Sequence, residues 1–116
     1  QVQVNEIVGQ VEGRDCLIVD DMIDTGGTIL AAAKALKENG AARVIVAATH
    51  AVFSPPASER LNDPVIDAVV VTNTLPITPD KEFETLHVLS IAPLIAKAIA
   101  AVFYDDSVNS LFPGHA

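Results

Sequence analysis

The chain has 116 residues, half of them hydrophobic, and 15 acidic residues outnumber seven basic ones for a net charge of −8. That length and apolar content suit one domain with a packed core and exclude intrinsic disorder as the main state. The acidic balance excludes a basic nucleic-acid-binding face, and an anionic membrane surface would repel the chain.

Signals for secretion, disulfides and zinc are missing from the sequence. Cys16 is the only cysteine, so no internal disulfide can form, and with three scattered histidines it cannot complete a closed zinc site. The first six residues contain neither a basic region nor an apolar signal core. The nearly apolar run 91–104 contains Lys97 and is too short to span a bilayer. We therefore expect a cytoplasmic protein.

Four apolar segments predict β-strands, over residues 16–19, 43–49, 68–72 and 86–90. Most are continuous apolar runs rather than alternations, which is typical of strands buried on both faces of a parallel sheet. An earlier segment, 4–11, predicts an edge strand that ends in a turn over 12–15.

Helical patterns lie between and after these strands. Residues 28–39 predict a helix that Gly40 ends in the left-handed conformation, and residues 57–61 predict a short helix. The expected core face of the first helix comprises Ile29, Ala32, Ala33 and Leu36.

The last helix is predicted over about 91–104, with Ser90 as its N-cap and Pro93 in its first turn. Its expected core face comprises Ile91, Leu94, Ile95, Ala98, Ile99 and Val102. The alternation of strands and helices predicts an α/β fold, a mostly parallel, doubly wound, Rossmann-like sheet with flanking helices.

The stretch 17–29 contains the candidate site. A strand is predicted to end at Asp20 and Asp21, and a loop with Gly26 and Gly27 leads into a helix. Ligands of open α/β sheets bind beyond the carboxyl ends of strands, and the free N–H groups of a helix start attract anions such as phosphate. The glycines permit close backbone approach, whereas the carboxylates suit sugar hydroxyls or Mg²⁺. A sugar phosphate satisfies both preferences. Each dipeptide alone is also common turn and cap chemistry.

The sequence Asp-Asp-Met-Ile-Asp-Thr-Gly-Gly-Thr at 20–28 resembles the ribose-phosphate-binding signature of type I phosphoribosyltransferase folds. Its form is most similar to that of the ribose-phosphate pyrophosphokinase family. Segments 9–14, 48–54, 73–77 and 107–112 agree with that family in the same order. The resemblance implies a phosphoribosyltransferase-like fold.

The same resemblance implies a reaction and a binding site. Enzymes of the family transfer the pyrophosphoryl group of ATP to the C1 hydroxyl of ribose 5-phosphate, with Mg²⁺, giving phosphoribosyl pyrophosphate and AMP. By this resemblance the 5-phosphate is held by Asp24, Thr25, Gly26, Gly27 and Thr28. Asp20 and Asp21 bind the ribose hydroxyls, directly or through Mg²⁺. The family also implies a homo-oligomer in which dimers form a hexamer.

Other parts of the family pattern have no match in this sequence. They are a preceding domain, an ATP site, a metal-binding histidine and a loop with catalytic Lys and Arg; the only basic residue before the signature is Arg14. We therefore expect residues 1–116 to be the C-terminal part of such a domain, with a ribose 5-phosphate half-site, no catalytic residue and no activity alone.

Four further positions bear on the interpretation. Pro55 stands where the family usually has glycine, which leaves the geometry of that loop open. Ser107 matches a segment that in bacterial relatives helps form a regulatory phosphate or ADP site between subunits, although Asn109 replaces a usual serine. His50 follows a strand, and we expect a structural role for it.

Three alternatives remain beside this interpretation. A salvage phosphoribosyltransferase would share the loop, but segments 50–54 and 107–112 argue against it. A non-catalytic regulatory homologue is disfavoured by the intact Asp20, Asp21 and Asp24. A phospho-accepting signalling domain would need an isolated Asp at another strand end and a later Lys, and the ends at Thr49 and Thr72 supply neither.

Overall fold

The computed structural model describes residues 9–104, which form a four-stranded sheet with helices. The strands are β1 (Asp15–Ile23), β2 (Arg43–Ala51), β3 (Ala68–Thr72) and β4 (Leu86–Leu89). They lie in the order β1-β2-β3-β4, and every neighbouring pair is parallel. The helices are α1 (Gly27–Glu38), α2 (Ala57–Leu61) and α3 (Ala92–Phe103), with a 3-10 turn at Pro79–Lys81. The predicted α/β class with a parallel sheet and flanking helices is confirmed.

The first strand is longer than the sequence predicted. β1 continues to Ile23, so Asp20 and Asp21 lie within the strand instead of following it. The last pairs with β2 are Met22 with His50 and Ile23 with Ala51. Both carboxylates are exposed at this outer strand, so the ladder continues without burying a charge. The strand predicted over 4–11 falls largely outside the described residues, and residues 9–11 form no strand.

The first two helices follow the prediction closely. α1 begins one residue earlier than expected, buries Ile29 and Ala33, and is followed by Gly40 with a φ of +93°. α2 has the predicted bounds and buries both of its ends, Ala57 and Leu61.

The core lies between α1, α2 and one face of the sheet. It contains four valines at alternate positions of β2 and β3, which are Val44, Val46, Val69 and Val71. Each buried side chain of this size contributes about 1.5–3 kcal/mol to folding. The core thus fixes the two central strands against the helices that flank the candidate site.

The other sheet face is largely exposed, contrary to the two-sided burial that the apolar runs predicted. Leu17 and Val19 of β1 are 61% and 70% exposed, and their neighbour Ala47 is half-buried. Successive parallel strands with right-handed crossovers place α1 and α2 on the same side. No element within residues 9–104 buries Leu17 or Val19.

The expected core face of α3 is also wrong. Ala101 is the only buried residue of this helix. The exposed fractions of the predicted core residues Leu94, Ile95, Ile99 and Val102 range from 43% to 71%. The formal N-cap is Ile91, although the Ala92 N–H donates to the hydroxyl of the predicted cap, Ser90, at 3.1 Å. Pro93 lies in the first turn as predicted. No helix within residues 9–104 has the length and apolar character to cross a membrane.

Candidate functional site

The carboxyl end of β1 and the first turn of α1 enclose a cavity of about 130 Å³. Its lining contains six of the seven predicted substrate-binding residues, namely Asp20, Asp24, Thr25, Gly26, Gly27 and Thr28. Met22, Ile23 and Ile29 complete the lining. Two carboxylates, two hydroxyls and a helix start therefore share one small space.

The positive end of the α1 dipole is available to a ligand. Gly26 is the N-cap, with a φ of +79° and no side chain to cap the helix. The first turn contains no acidic residue. The first N–H groups of a helix lack intrahelical acceptors, and its dipole is positive at this end. The cavity therefore presents backbone donors to an anion.

The helix α2 supports the loop from a distant part of the sequence. Gly26 is buried, and a Cβ placed on it would lie 3.5 Å from Leu61 Cγ and 3.7 Å from Ala57 Cα. Arg60 Nη1 donates a hydrogen bond to the Thr25 carbonyl at 3.1 Å. Arg60 was not predicted from the sequence, because a contact between residues 35 positions apart leaves no local pattern.

The two adjacent aspartates of β1 occupy different positions. Asp20 lines the cavity, whereas Asp21 does not. Side chains alternate along a strand, which places Asp21 on the face of Leu17 and Val19. The Asp21 N–H donates to Asp20 Oδ1 at 2.8 Å. The role predicted for Asp21 toward a ribose or Mg²⁺ stays a prediction.

The donors in the cavity suit a shared Mg²⁺ better than a protein-only metal cage. Within residues 9–104, no group of three or more His, Cys, Asp or Glu side chains could hold a metal ion. Asp20 and Asp24 offer carboxylate oxygens, and Mg²⁺ commonly binds one or two carboxylates together with substrate phosphates and water. The residues present therefore fit Mg²⁺ as a partner of a bound phosphate substrate.

His50 belongs to a polar cluster at the ends of β2 and β3. Its Nδ1 lies 2.7 Å from Thr74 Oγ1, and the Thr72 hydroxyl donates to the Thr49 carbonyl at 2.6 Å. His50 does not line the cavity. These contacts agree with the structural role expected for it. The predicted regulatory residue, Ser107, lies outside the described residues.

The chain is similar to known proteins over most of its length. The ribose-phosphate pyrophosphokinases of Mycobacterium leprae and Streptomyces coelicolor are 56% and 57% identical to this chain, over 116 and 112 residues. These alignments cover 100% and 97% of this chain, but 36% and 35% of the relatives. The crystal structure of phosphoribosylpyrophosphate synthetase from Mycobacterium smegmatis matches with a TM-score of 0.84 and 55% identity. That match covers 90% of this chain and 35% of the synthetase chain.

The chain thus spans just over a third of the length of the curated relatives that it matches. The family described as the phosphoribosyl synthetase-associated domain matches residues 3–113. Because that match extends over nearly the whole sequence, the chain belongs to the phosphoribosyl synthetase-associated domain family.

Proposed function

We propose that this chain supplies the ribose 5-phosphate half-site of a ribose-phosphate pyrophosphokinase. The observation that supports this proposal most strongly is the cavity, which an uncapped helix start and two carboxylates line together. The N–H groups of the first turn of α1, with the Thr25 and Thr28 hydroxyls, hold the 5-phosphate. Asp20 accepts hydrogen bonds from the ribose hydroxyls. The relatives' names support this over a salvage phosphoribosyltransferase.

The reaction proposed for the whole enzyme is transfer of the pyrophosphoryl group of ATP to the C1 hydroxyl of ribose 5-phosphate. Its products are phosphoribosyl pyrophosphate and AMP. The contribution of this chain is positioning, because a fixed 5-phosphate orients the sugar and presents its C1 hydroxyl to ATP. When bound, Mg²⁺ would offset negative charge between the substrate phosphates and the aspartates. Asp20, which lines the cavity, would hold it, whereas a role for Asp21 toward the ribose hydroxyls or Mg²⁺ is implied by the resemblance alone.

The rest of the proposed enzyme supplies the ATP site, the catalytic residues and the subunit assembly. The ATP site and the catalytic Lys and Arg belong to the part of the enzyme that this chain does not span, so we propose no activity for the chain alone. Residues 1–116 correspond to the C-terminal part of the enzyme. The whole enzyme is a cytoplasmic homo-oligomer of dimers assembled into a hexamer.

An amide NMR titration of the chain with ribose 5-phosphate and Mg²⁺ tests the half-site. We expect saturable shifts confined to residues 20–28, and a weaker response to ribose without phosphate. With Mg²⁺ present, Asp24→Ala should weaken binding because it removes a cavity carboxylate that can hold the ion, and Gly27→Val should weaken it by blocking close backbone approach. Glu38→Ala is the matched control, because it removes a carboxylate from the opposite end of α1. Unchanged affinity in both loop variants would overturn the proposal, as would a folded chain that shows no shifts.

A further inference from the structure

We infer that Arg60 is a positioning residue of the phosphate-binding loop, because it holds the Thr25–Gly26 peptide in the orientation that receives the anion. This inference rests on the proposed function and deepens it. Arg60 reaches the loop from α2, and its role lies in the geometry of the backbone rather than in contact with the substrate.

The hydrogen bond fixes one peptide group. Arg60 Nη1 donates to the Thr25 carbonyl at 3.1 Å. A trans peptide is planar, so its carbonyl oxygen and its N–H point in opposite directions. Anchoring the Thr25 oxygen to α2 therefore turns the Gly26 N–H away from Arg60. Within residues 9–104, the Gly26 N–H donates to no protein acceptor and is free to bind a ligand.

Arg60 acts from outside the cavity. It does not line the 130 Å³ cavity. It lines a separate groove of about 470 Å³, together with Lys34, and this groove shares Thr25, Gly27 and Thr28 with the cavity. The guanidinium therefore contacts the loop backbone instead of occupying the anion's place.

The donor of this hydrogen bond lies on α2, whose ends are packed into the core. Ala57 and Leu61 on either side of the α2 turn are fully buried, and the Ser58 hydroxyl donates to the Lys81 carbonyl at 2.6 Å. Gly26, in contrast, has the conformational freedom of a glycine at a φ of +79°. A charge-assisted hydrogen bond from a fixed helix restricts that freedom before the ligand arrives, which lowers the entropic cost of binding.

Substituting Lys34 distinguishes the positioning role of Arg60 from simple attraction between a cation and the phosphate. It contributes a second cation to the same groove, but it makes no hydrogen bond to the loop within the described residues. Removing Lys34 therefore changes the charge near the site and leaves the Thr25–Gly26 peptide held. Arg60→Ala removes both the charge and the hydrogen bond.

The test compares dissociation constants for ribose 5-phosphate and for inorganic phosphate in the full 116-residue chain, its Arg60→Ala and Arg60→Gln variants, and Lys34→Ala. We expect Arg60→Ala and Arg60→Gln to raise both constants about tenfold, as expected for a lost hydrogen bond to a charged group. Lys34→Ala should change them less than about twofold, as a screened surface charge does. In the ligand-free chain, the Gly26 amide resonance should shift in the Arg60 variants and stay in place in Lys34→Ala.

The possible results distinguish failure of the Arg60 inference from failure of the half-site proposal. Wild-type affinity in either folded Arg60 variant overturns the inference and leaves the half-site proposal standing. Equal weakening by Lys34→Ala and Arg60→Gln also overturns it, since charge alone would then explain the loss. A wild-type chain that binds neither ribose 5-phosphate nor phosphate defeats the half-site proposal and this inference with it. If Arg60→Ala does not fold, Arg60→Gln carries the same prediction, because its shorter side chain retains polarity without reaching Thr25.

Discussion

Asp67 and Val44 exchange two hydrogen bonds where β2 and β3 begin. The Asp67 N–H donates to the Val44 carbonyl at 2.8 Å, and the Val44 N–H donates to the Asp67 carboxylate at 2.7 Å. The same carboxylate pairs with Lys37 of α1 at 3.1 Å. Because Val44 is fully buried, one aspartate aligns the two central strands and joins them to the helix above.

Replacing this aspartate should destabilise the chain more than replacing an exposed one. Asp67→Ala leaves the Val44 N–H without its acceptor, and we expect the free energy of unfolding at pH 7 to fall by about 1–2 kcal/mol. The lower end applies because the carboxylate is 35% exposed. Asp15→Ala is the control, since it removes a carboxylate from an exposed pair with Arg43. Urea unfolding of both variants measures the difference, and equal losses would contradict the role of Asp67.

The effect of Asp67 should depend on pH. The Val44 N–H, and then Lys37, lower the pKa of Asp67 below its usual 3.8. A lowered folded-state pKa gives stability that is complete above the unfolded value and is lost as the pH falls through the folded value. The gap in unfolding free energy between wild type and Asp67→Ala should therefore be constant from pH 5 to 7 and shrink below about pH 4. A gap that stays unchanged down to pH 2 would show that the charge is unimportant.

Two glycines offer a matched test of the loop. Gly26 and Gly13 have φ values of +79° and +72°, and neither position is too crowded for a Cβ. Alanine at either site should cost about 1–2 kcal/mol of stability through backbone strain alone. Only Gly26→Ala should also weaken ribose 5-phosphate binding, because only Gly26 lines the cavity. Unfolding curves and titrations of both variants separate the two effects, and equal binding by both would argue against the loop as the phosphate site.

Local sequence patterns correctly predicted the bounds of those elements whose ends coincide with a change in residue type. The bounds of β3 and α2 are as predicted, since a valine run ends at polar residues and a helix follows paired prolines. β1 was predicted too short because Asp20 and Asp21 interrupt its apolar run before Met22 and Ile23, and both aspartates are exposed there. A strand end that contains site residues departs from the hydrophobic pattern that identifies strands.

What covers an apolar surface could not be predicted from periodicity. Leu17, Val19 and Ile99 are apolar at positions that predict burial, yet each is more than half exposed. A hydrophobic pattern marks the residues suited to a partner without identifying that partner. The Arg60–Thr25 contact was missed for a related reason, because it depends on how α2 lies against the loop.

The adjacent aspartates of β1 make the site assignment testable residue by residue. Asp20→Asn should weaken Mg²⁺-dependent binding of ribose 5-phosphate about tenfold, because its carboxylate lines the cavity. The isosteric Asp21→Asn change should have a smaller effect, since Asp21 lies outside the cavity lining. Calorimetric titrations with and without Mg²⁺ provide the comparison. An equal loss in Asp21→Asn would show that the ribose also reaches the opposite face of β1.

Two nearby positions of α3 should respond oppositely to substitution, because one lies on its exposed apolar stripe, formed by Leu94, Ile95, Ile99 and Val102, and the other is buried. Ile99 is 54% exposed, whereas Ala101 is 8% exposed. Ile99→Lys should therefore change the free energy of unfolding by less than about 0.5 kcal/mol, as an ordinary surface substitution does. Ala101→Lys should cost about 2 kcal/mol or more, because a long charged side chain must enter a packed site. Urea unfolding at a protein concentration that keeps the chain monomeric measures both. A large loss in Ile99→Lys with none in Ala101→Lys would mean that α3 packs through the stripe that its sequence pattern favours.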